Sequence, residues 1–144
     1  MFSKACEYAI RAVLYIAKES KRGNRTSLKN ISREAGSPEA FTAKILQPLA
    51  KNNIIKSIKG PNGGFEIPTE NLTQIKLADI VRIIDGDQLF TGCALGLSQC
   101  NEEKPCPLHD NFLKIRTEIS ELLETTNLND ITEGLNSGLT FLRR

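Results

Sequence analysis

Apolar positions recur at helical spacing along most of the chain. Between Lys4 and Lys21, residues Ala5, Tyr8, Ala9, Ala12, Val13, Ile16 and Ala17 form a stripe that Ile10, Leu14 and Tyr15 widen to most of the circumference. A helix apolar nearly all round is buried on several sides, in a core or between subunits. Ser3 stands where an N-cap is needed. After the basic turn 21–25, Ser27 caps a short second helix, Leu28 to Ala35, which Gly36 ends. Ser37-Pro38-Glu39 opens a third, with Ser37 as N-cap, Pro38 at the first helical position and Glu39 near the positive end of the dipole. Phe41, Ile45, Leu46 and Leu49 carry it to about Asn52, and Pro48, lacking a backbone donor, is expected to kink it.

The period then changes. Residues 54–59 read as a strand, Gly60-Pro61-Asn62-Gly63-Gly64 as a turn, and Phe65-Glu66-Ile67 as the return strand, stopped by Pro68. Asn-Gly between β-prone runs is a hairpin cue. Two short helices joined at Gly36 make a helix-turn-helix, and a hairpin directly after it makes a wing. Helical spacing resumes over Leu77–Asp85, which Gly86 ends, and again from Leu108 to about Asn127. There Leu108, Phe112, Ile115, Ile119 and Leu122 fall at 4-3-4-3 intervals, flanked by Glu118, Glu121 and Glu124. That heptad-like seam suits a partner helix or the chain's own core. A last amphipathic segment holds Ile131, Leu135, Leu139, Phe141 and Leu142. The expected architecture is mainly α with a small β-hairpin wing. Residues 1–75 are expected to form a winged helix-turn-helix domain, of the kind that binds DNA, whose first helix also packs at a dimer interface. Residues 76–144 are expected to form a second region with a cysteine loop, a sensor candidate, and a dimerisation helix.

Charge adds a partner to this outline. The net charge of +2 conceals an asymmetry: residues 1–60 hold 12 Lys/Arg against 4 Asp/Glu, and residues 61–144 hold 7 against 13. A basic half on a nearly neutral chain points to a polyanion for that half. The longest early apolar run, Ala12 to Ala17, is too short for a signal or a membrane span, so a cytoplasmic chain with no membrane partner is expected. In that compartment clustered cysteines are ligands or redox sensors before they are structural disulfides.

The cysteines are indeed clustered. Cys93-x6-Cys100-x5-Cys106-x2-His109 contains three of the four cysteines and the only histidine, punctuated by Gly92, Gly96, Pro105 and Pro107. Thiolates and imidazole suit iron, iron–sulfur clusters and zinc, although structural zinc sites usually show a tighter Cys-x2-4-Cys knuckle. A metal-free thiol switch forming disulfides on oxidation is a further possibility. An enzyme or electron carrier lacks support: there is no Cys-x-x-Cys, no nucleotide loop and no second histidine for acid–base work.

The order of elements resembles the Rrf2-type winged-helix transcriptional regulators, with their IscR-like and NsrR-like iron–sulfur sensors, over essentially the whole chain. Tyr8-Ala9-Ile10-Arg11 matches the family's opening signature and Lys59-Gly60-Pro61-Asn62-Gly63-Gly64-Phe65 its wing signature. The resemblance implies that Cys93, Cys100 and Cys106 bind a [2Fe-2S] or [4Fe-4S] cluster. The fourth ligand would be His109, as in IscR-like members, or Glu7 from the partner subunit's first helix, as in NsrR-like members. The first gap is one residue longer than in IscR-like loops. Cys6, beside Glu7, is either a small buried side chain or a further neighbour of the cluster.

The implied function is a homodimeric repressor or activator that binds double-stranded DNA at a pseudo-palindromic operator. Its cluster would sense nitric oxide, redox state or iron–sulfur status. Glu39, Thr42 and Lys44 are placed to read base edges. Ser37 and the helix start would hold phosphate, Arg25, Lys29 and Arg33 would meet the backbone, and Lys56, Lys59, Gly60, Asn62 and Gly63 would bring the wing to phosphates or a minor groove.

Overall fold

The computed structural model describes residues 1–143. Among them the helices are α1 (Lys4–Lys21), α2 (Leu28–Ala35), α3 (Glu39–Lys51), α4 (Leu77–Asp85), α5 (Gln88–Thr91), α6 (His109–Thr125) and α7 (Leu128–Asn136). One antiparallel hairpin, β1 (Lys56–Ile58) and β2 (Gly64–Glu66), follows α3, in the register Lys56 to Glu66, Ser57 to Phe65 and Ile58 to Gly64. The molecule is mainly helical with a two-stranded wing, as the periodicity predicts.

The local signals explain most boundaries. Ser3 accepts the Cys6 amide, Ser27 accepts the Asn30 amide, and Gly36 closes α2 in the left-handed region at φ 71°. The cap of α3 differs from expectation. Pro38 holds the N-cap position with no side-chain bond, while the Ser37 hydroxyl turns inward to the Thr42 hydroxyl. The helix also continues through Pro48 to Lys51. The wing strands are shorter than expected because Ile54 and Ile55 drop into the core and Ile67 is likewise buried. The Ile67 N–H is satisfied by the buried Ser20 hydroxyl of α1 at 2.9 Å, a tie with no sequence cue. The one-turn α5 was not expected either. The last amphipathic segment stops being helical at Asn136, leaving Leu139 and Phe141 exposed while Leu142 packs on the core.

Helix α1 is the hub. Ala9, Val13, Ile16 and Ala17 are fully buried, and α1 packs on α2, α3, α4, α7 and β2. Alanines at positions 9, 12 and 17 let these neighbours approach closely. The main core draws on both halves of the chain, from Ile31 and Leu46 through Ile67 and Leu72 to Ile80, Leu128 and Leu135. A smaller core joins Cys6 to Ala78, Val81 and Leu123, with Phe2, Phe90 and Ile119 against it. Burial, then the nearby Asp85 carboxylate, pushes the Cys6 thiol up to about 12. It is therefore a neutral, small, buried side chain inside the subunit.

The Tyr8-Ala9-Ile10-Arg11 signature acquires a mechanical meaning. Arg11 Nη1 donates to the Ala35 carbonyl at 3.0 Å, at the end of α2, and its guanidinium lies 5.3 Å from the Tyr8 ring centroid. Tyr8 meets Phe41 edge-on at 5.9 Å, so consecutive turns of α1 hold both sides of the helix-turn-helix corner. Replacing Arg11 by Met removes the carbonyl's partner and is expected to lower stability by about 1–2 kcal/mol. Urea titration would show this as a lower midpoint at unchanged slope. An unshifted midpoint would mean water replaces the clamp without loss. In the wing, a Cβ on Gly63 would lie 2.1 Å from the Ile58 carbonyl oxygen. Gly63→Ala should therefore open β1–β2 and strip hydrogen-exchange protection from the Ile58 amide while leaving the α1 amides protected.

Candidate functional site

The charged and wing residues of the basic half lie at the surface. Lys29, Arg33, Glu39, Ala40, Lys44, Lys56, Lys59, Gly60 and Asn62 are all exposed. Glu39 stands in the first turn of α3 and Lys44 further along the same helix, so Glu39 remains available to base edges and Lys44 to base edges or phosphates. Gly63 is half-buried beneath the wing turn, where its amide donates to the Gly60 carbonyl at 2.9 Å.

Two expected contacts are corrected. Thr42 is 1% exposed, and its hydroxyl donates to the Pro38 carbonyl at 2.9 Å besides meeting Ser37. Ser37 is itself buried. Neither side chain reaches the surface; together they brace the corner from inside. Arg25 is exposed but engaged: Nε donates to Glu66 Oε2 at 3.0 Å and Nη1 to the Asn62 carbonyl at 3.0 Å.

The cysteine loop is built at the opposite end of the chain's order, between α5 and α6. It brings its ligand candidates together as two pairs. Cys93 Sγ lies 3.9 Å from Cys106 Sγ, and Cys100 Sγ lies 3.4 Å from His109 Nδ1. Two thiolates on one tetrahedral metal stand about 3.8 Å apart, and a thiolate and an imidazole about 3.5 Å, so each pair has the spacing of two ligands on one ion. Among the described residues, no group of three or more His, Cys, Asp or Glu side chains is arranged to hold a single metal ion. Cys93 and His109 are buried, each 7% exposed. Backbone N–H groups of Leu95 and Leu97 hold the Cys93 thiol below its ordinary value, against the effect of burial and with smaller help from Cys106 and Gly96. The chemistry of the set, three soft sulfurs and an imidazole, fits a metal centre.

His109 opens α6 rather than ending the loop, so one candidate ligand belongs rigidly to that helix. Arg116, about two turns further along α6, donates to the Gly92 carbonyl at 2.7 Å and ties the loop's entrance to the same helix. Arg82 of α4 reaches Glu124 of α6 and, at 3.1 Å, Asp87, with its guanidinium 4.0 Å from the Phe90 centroid. No sequence motif marks either arginine. Glu7, the other candidate ligand, sits half-exposed on α1 and is paired with Lys4 at 3.0 Å and Arg11 at 3.7 Å. Cys6, one residue earlier, faces the inner core and not the loop.

The seam of α6 lies open. Phe112, Ile115 and Leu122 are 44%, 50% and 61% exposed, whereas Leu123, on the other side, is buried. A groove of about 460 Å³ runs beside it, lined by Leu89, Ala94, Phe112, Ile115 and Ile119. Among the described residues, no helix is long and apolar enough to cross a membrane.

Comparison with known proteins agrees with this arrangement. The Rrf2 family model, described as an iron-dependent transcriptional regulator, matches residues 2–134. A helix-turn-helix transcriptional regulator of Aquifex aeolicus is 27% identical over 133 residues, covering 91% of this chain and 90% of that protein. The fold is that of CymR, the global cysteine regulator of Bacillus subtilis, with a TM-score of 0.74 at 23% identity over 92% of this chain and 96% of CymR. It is also that of the IscR from T. potens, with a TM-score of 0.72 at 21% identity over 97% and 91% of the two chains. The winged helix-turn-helix, the basic face and a match over nearly the whole length place this chain in the Rrf2 family of DNA-binding transcriptional regulators, and it is not an enzyme.

Proposed function

We propose that this regulator works as a homodimer whose two winged heads grip a pseudo-palindromic operator, with an iron–sulfur cluster in the Cys93–His109 loop setting its affinity. The observation that carries the reading is the pair of pairs, Cys93 with Cys106 and Cys100 with His109. A [2Fe-2S] cluster takes two protein ligands on each iron, whereas one structural zinc ion takes all four. The pairing therefore favours the cluster over zinc and His109 over Glu7 as the fourth ligand. When bound, the cluster would supply a reactive, redox-active centre open to nitric oxide, oxidants or iron starvation.

The chain's own residues would do the rest. Arg116 fixes the loop to α6, and His109 makes that helix respond when the loop repacks. The open seam of Phe112, Ile115, Ile119 and Leu122 would seat the same helix of a second copy, so repacking changes the spacing of the two heads. On each head, Glu39 and Lys44 would read bases, while Lys29, Arg33, Lys56, Lys59 and the wing turn at Gly60, Asn62 and Gly63 would hold the backbone.

A second reading draws on the 3.9 Å between Cys93 and Cys106. In metal-free protein, a peroxide would take two electrons from these thiols, forming one disulfide and leaving as water, with both thiol protons retained in the water.

Protein purified without oxygen should be coloured and contain iron and acid-labile sulfide, and Cys106→Ser should lose both. His109→Ala should alter the absorption spectrum while Glu7→Ala leaves it unchanged; the reverse result would move the fourth ligand to the partner's Glu7. Treating the loaded protein with nitric oxide should change DNA affinity about 5–150-fold, the range of ordinary allosteric coupling. A colourless protein holding one zinc ion would end the cluster reading. For the dimer, Ile115→Glu combined with Leu122→Glu should yield a monomer in sedimentation with helix content intact, since both side chains are exposed. A persistent dimer would place the interface elsewhere.

A further inference from the structure

Arg25 sits in the short link between α1 and α2, and that link is joined to the wing. The next residue, Thr26, exchanges both backbone hydrogen bonds with Phe65 of β2, at 3.0 and 2.8 Å. Gly64 comes so close that a Cβ there would lie 2.7 Å from the Thr26 carbonyl oxygen. The link thus acts as a third rung on the hairpin, and Arg25 projects from it across the wing. Its guanidinium bridges two parts of the hairpin at once. Nε holds Glu66 on the return strand and Nη1 holds the Asn62 carbonyl at the tip, each at 3.0 Å. A fork of fixed geometry that spans strand and turn sets their relative position.

Glu66 needs a reason to be there. It lies in register with Lys56, on a hairpin whose other charges are basic. A carboxylate on a surface that meets phosphates repels them, and by simple charge its removal would tighten DNA binding.

We propose that Arg25 and Glu66 are positioning residues for DNA recognition: their ion pair, tied through the same guanidinium to the Asn62 carbonyl, is a strut that presents the wing tip at the angle the DNA requires. Arg25 on this account is not a phosphate contact. The inference rests on the reading that the wing touches DNA, and it goes beyond that reading by assigning a role to two residues that need not touch DNA at all.

The strut and the phosphate contact predict opposite signs. The probe is a duplex enriched from a random-sequence pool by the unsubstituted protein, and affinity is measured across a salt series. Glu66→Gln and Arg25→Gln should each weaken binding about three- to tenfold, and the double variant should be no weaker than either single one. The dependence of log affinity on log salt should keep its slope in all three. The melting temperature should stay nearly unchanged, because an exposed pair adds little to global stability. Tighter binding by Glu66→Gln would overturn the proposal, and so would a slope smaller by about one for Arg25→Gln, the sign of a lost phosphate contact. Unchanged affinity in both single variants would overturn it as well. A fall in melting temperature that accounts for the lost binding would reduce the pair to general stabilisation and likewise overturn it. Lys59→Gln separates the underlying reading: an unchanged affinity and slope there would remove the wing from the DNA, whereas a slope smaller by about one keeps it in place.

Discussion

The burial of α1 is the constraint on which the other elements depend. Ala9, Val13, Ile16 and Ala17 are fully buried, and α2, α3, α4, α7 and β2 are packed around the helix. A buried Val or Ile side chain contributes about 1.5–3 kcal/mol of transfer free energy. The alanines contribute differently, by letting backbones come close. Because several elements grip the buried side of the helix, it can hold parts far apart in the chain in fixed relation. Ser3 bonds to Asp85 at the end of α4, Arg11 holds the end of α2, and Ser20 holds the wing's return strand. The DNA-binding head and the region that carries the cysteines are thus referenced to one rod. They share a core.

Much of this was legible in the sequence, and the parts that were not have physical reasons. Ser3, Ser27 and Gly36 are local signals, each acting within a few residues of itself, and they mark helix ends correctly. The apolar seam from Leu108 to Leu122 could be read because side-chain direction follows from helical period alone. Thr42 misled because a hydroxyl looks the same in sequence whether it faces water or bonds back to the carbonyl four residues earlier. Ser37 misled for a related reason: an N-cap candidate beside proline has a second option, and here the buried partner Thr42 takes it. The strand ends misled because Ile54 and Ile55 suit a strand as well as a core, and long-range packing decided between them.

The loop shows the same division. Cys93, Cys100, Cys106 and His109 stand out as candidates by type and spacing, but which of them stand together is a tertiary fact. Spacing alone could not pair Cys93 with Cys106, thirteen residues apart, nor Cys100 with His109. The supporting arginines were invisible for another reason. Arg82 and Arg116 look like ordinary helical surface residues, and what gives them a role is a carbonyl, two carboxylates and an aromatic ring brought in from other elements. Arg25 stands between these cases. Its charge suggested phosphate, and the fold supplied it with a carboxylate instead.

The position of His109 has one more consequence. It occupies the first turn of a helix 17 residues long, about 25 Å from end to end at the usual rise per residue. The far end of that helix is moored, with the Thr126 carbonyl accepting the Leu77 amide and the Leu128 amide donating to the Ile75 carbonyl. A rod fixed at one end and pulled at the other is a lever, and its gearing runs in reverse. At this length, a sideways shift of about 2 Å at His109 corresponds to a tilt of only about 5° at the mooring. If the proposed cluster is bound, the His109 end would accommodate a change of bond length or partner while the moored end turned by only a few degrees. Such an arrangement trades amplitude for force: an event among the four side chains would become a small, stiff rotation beside the body that carries the head.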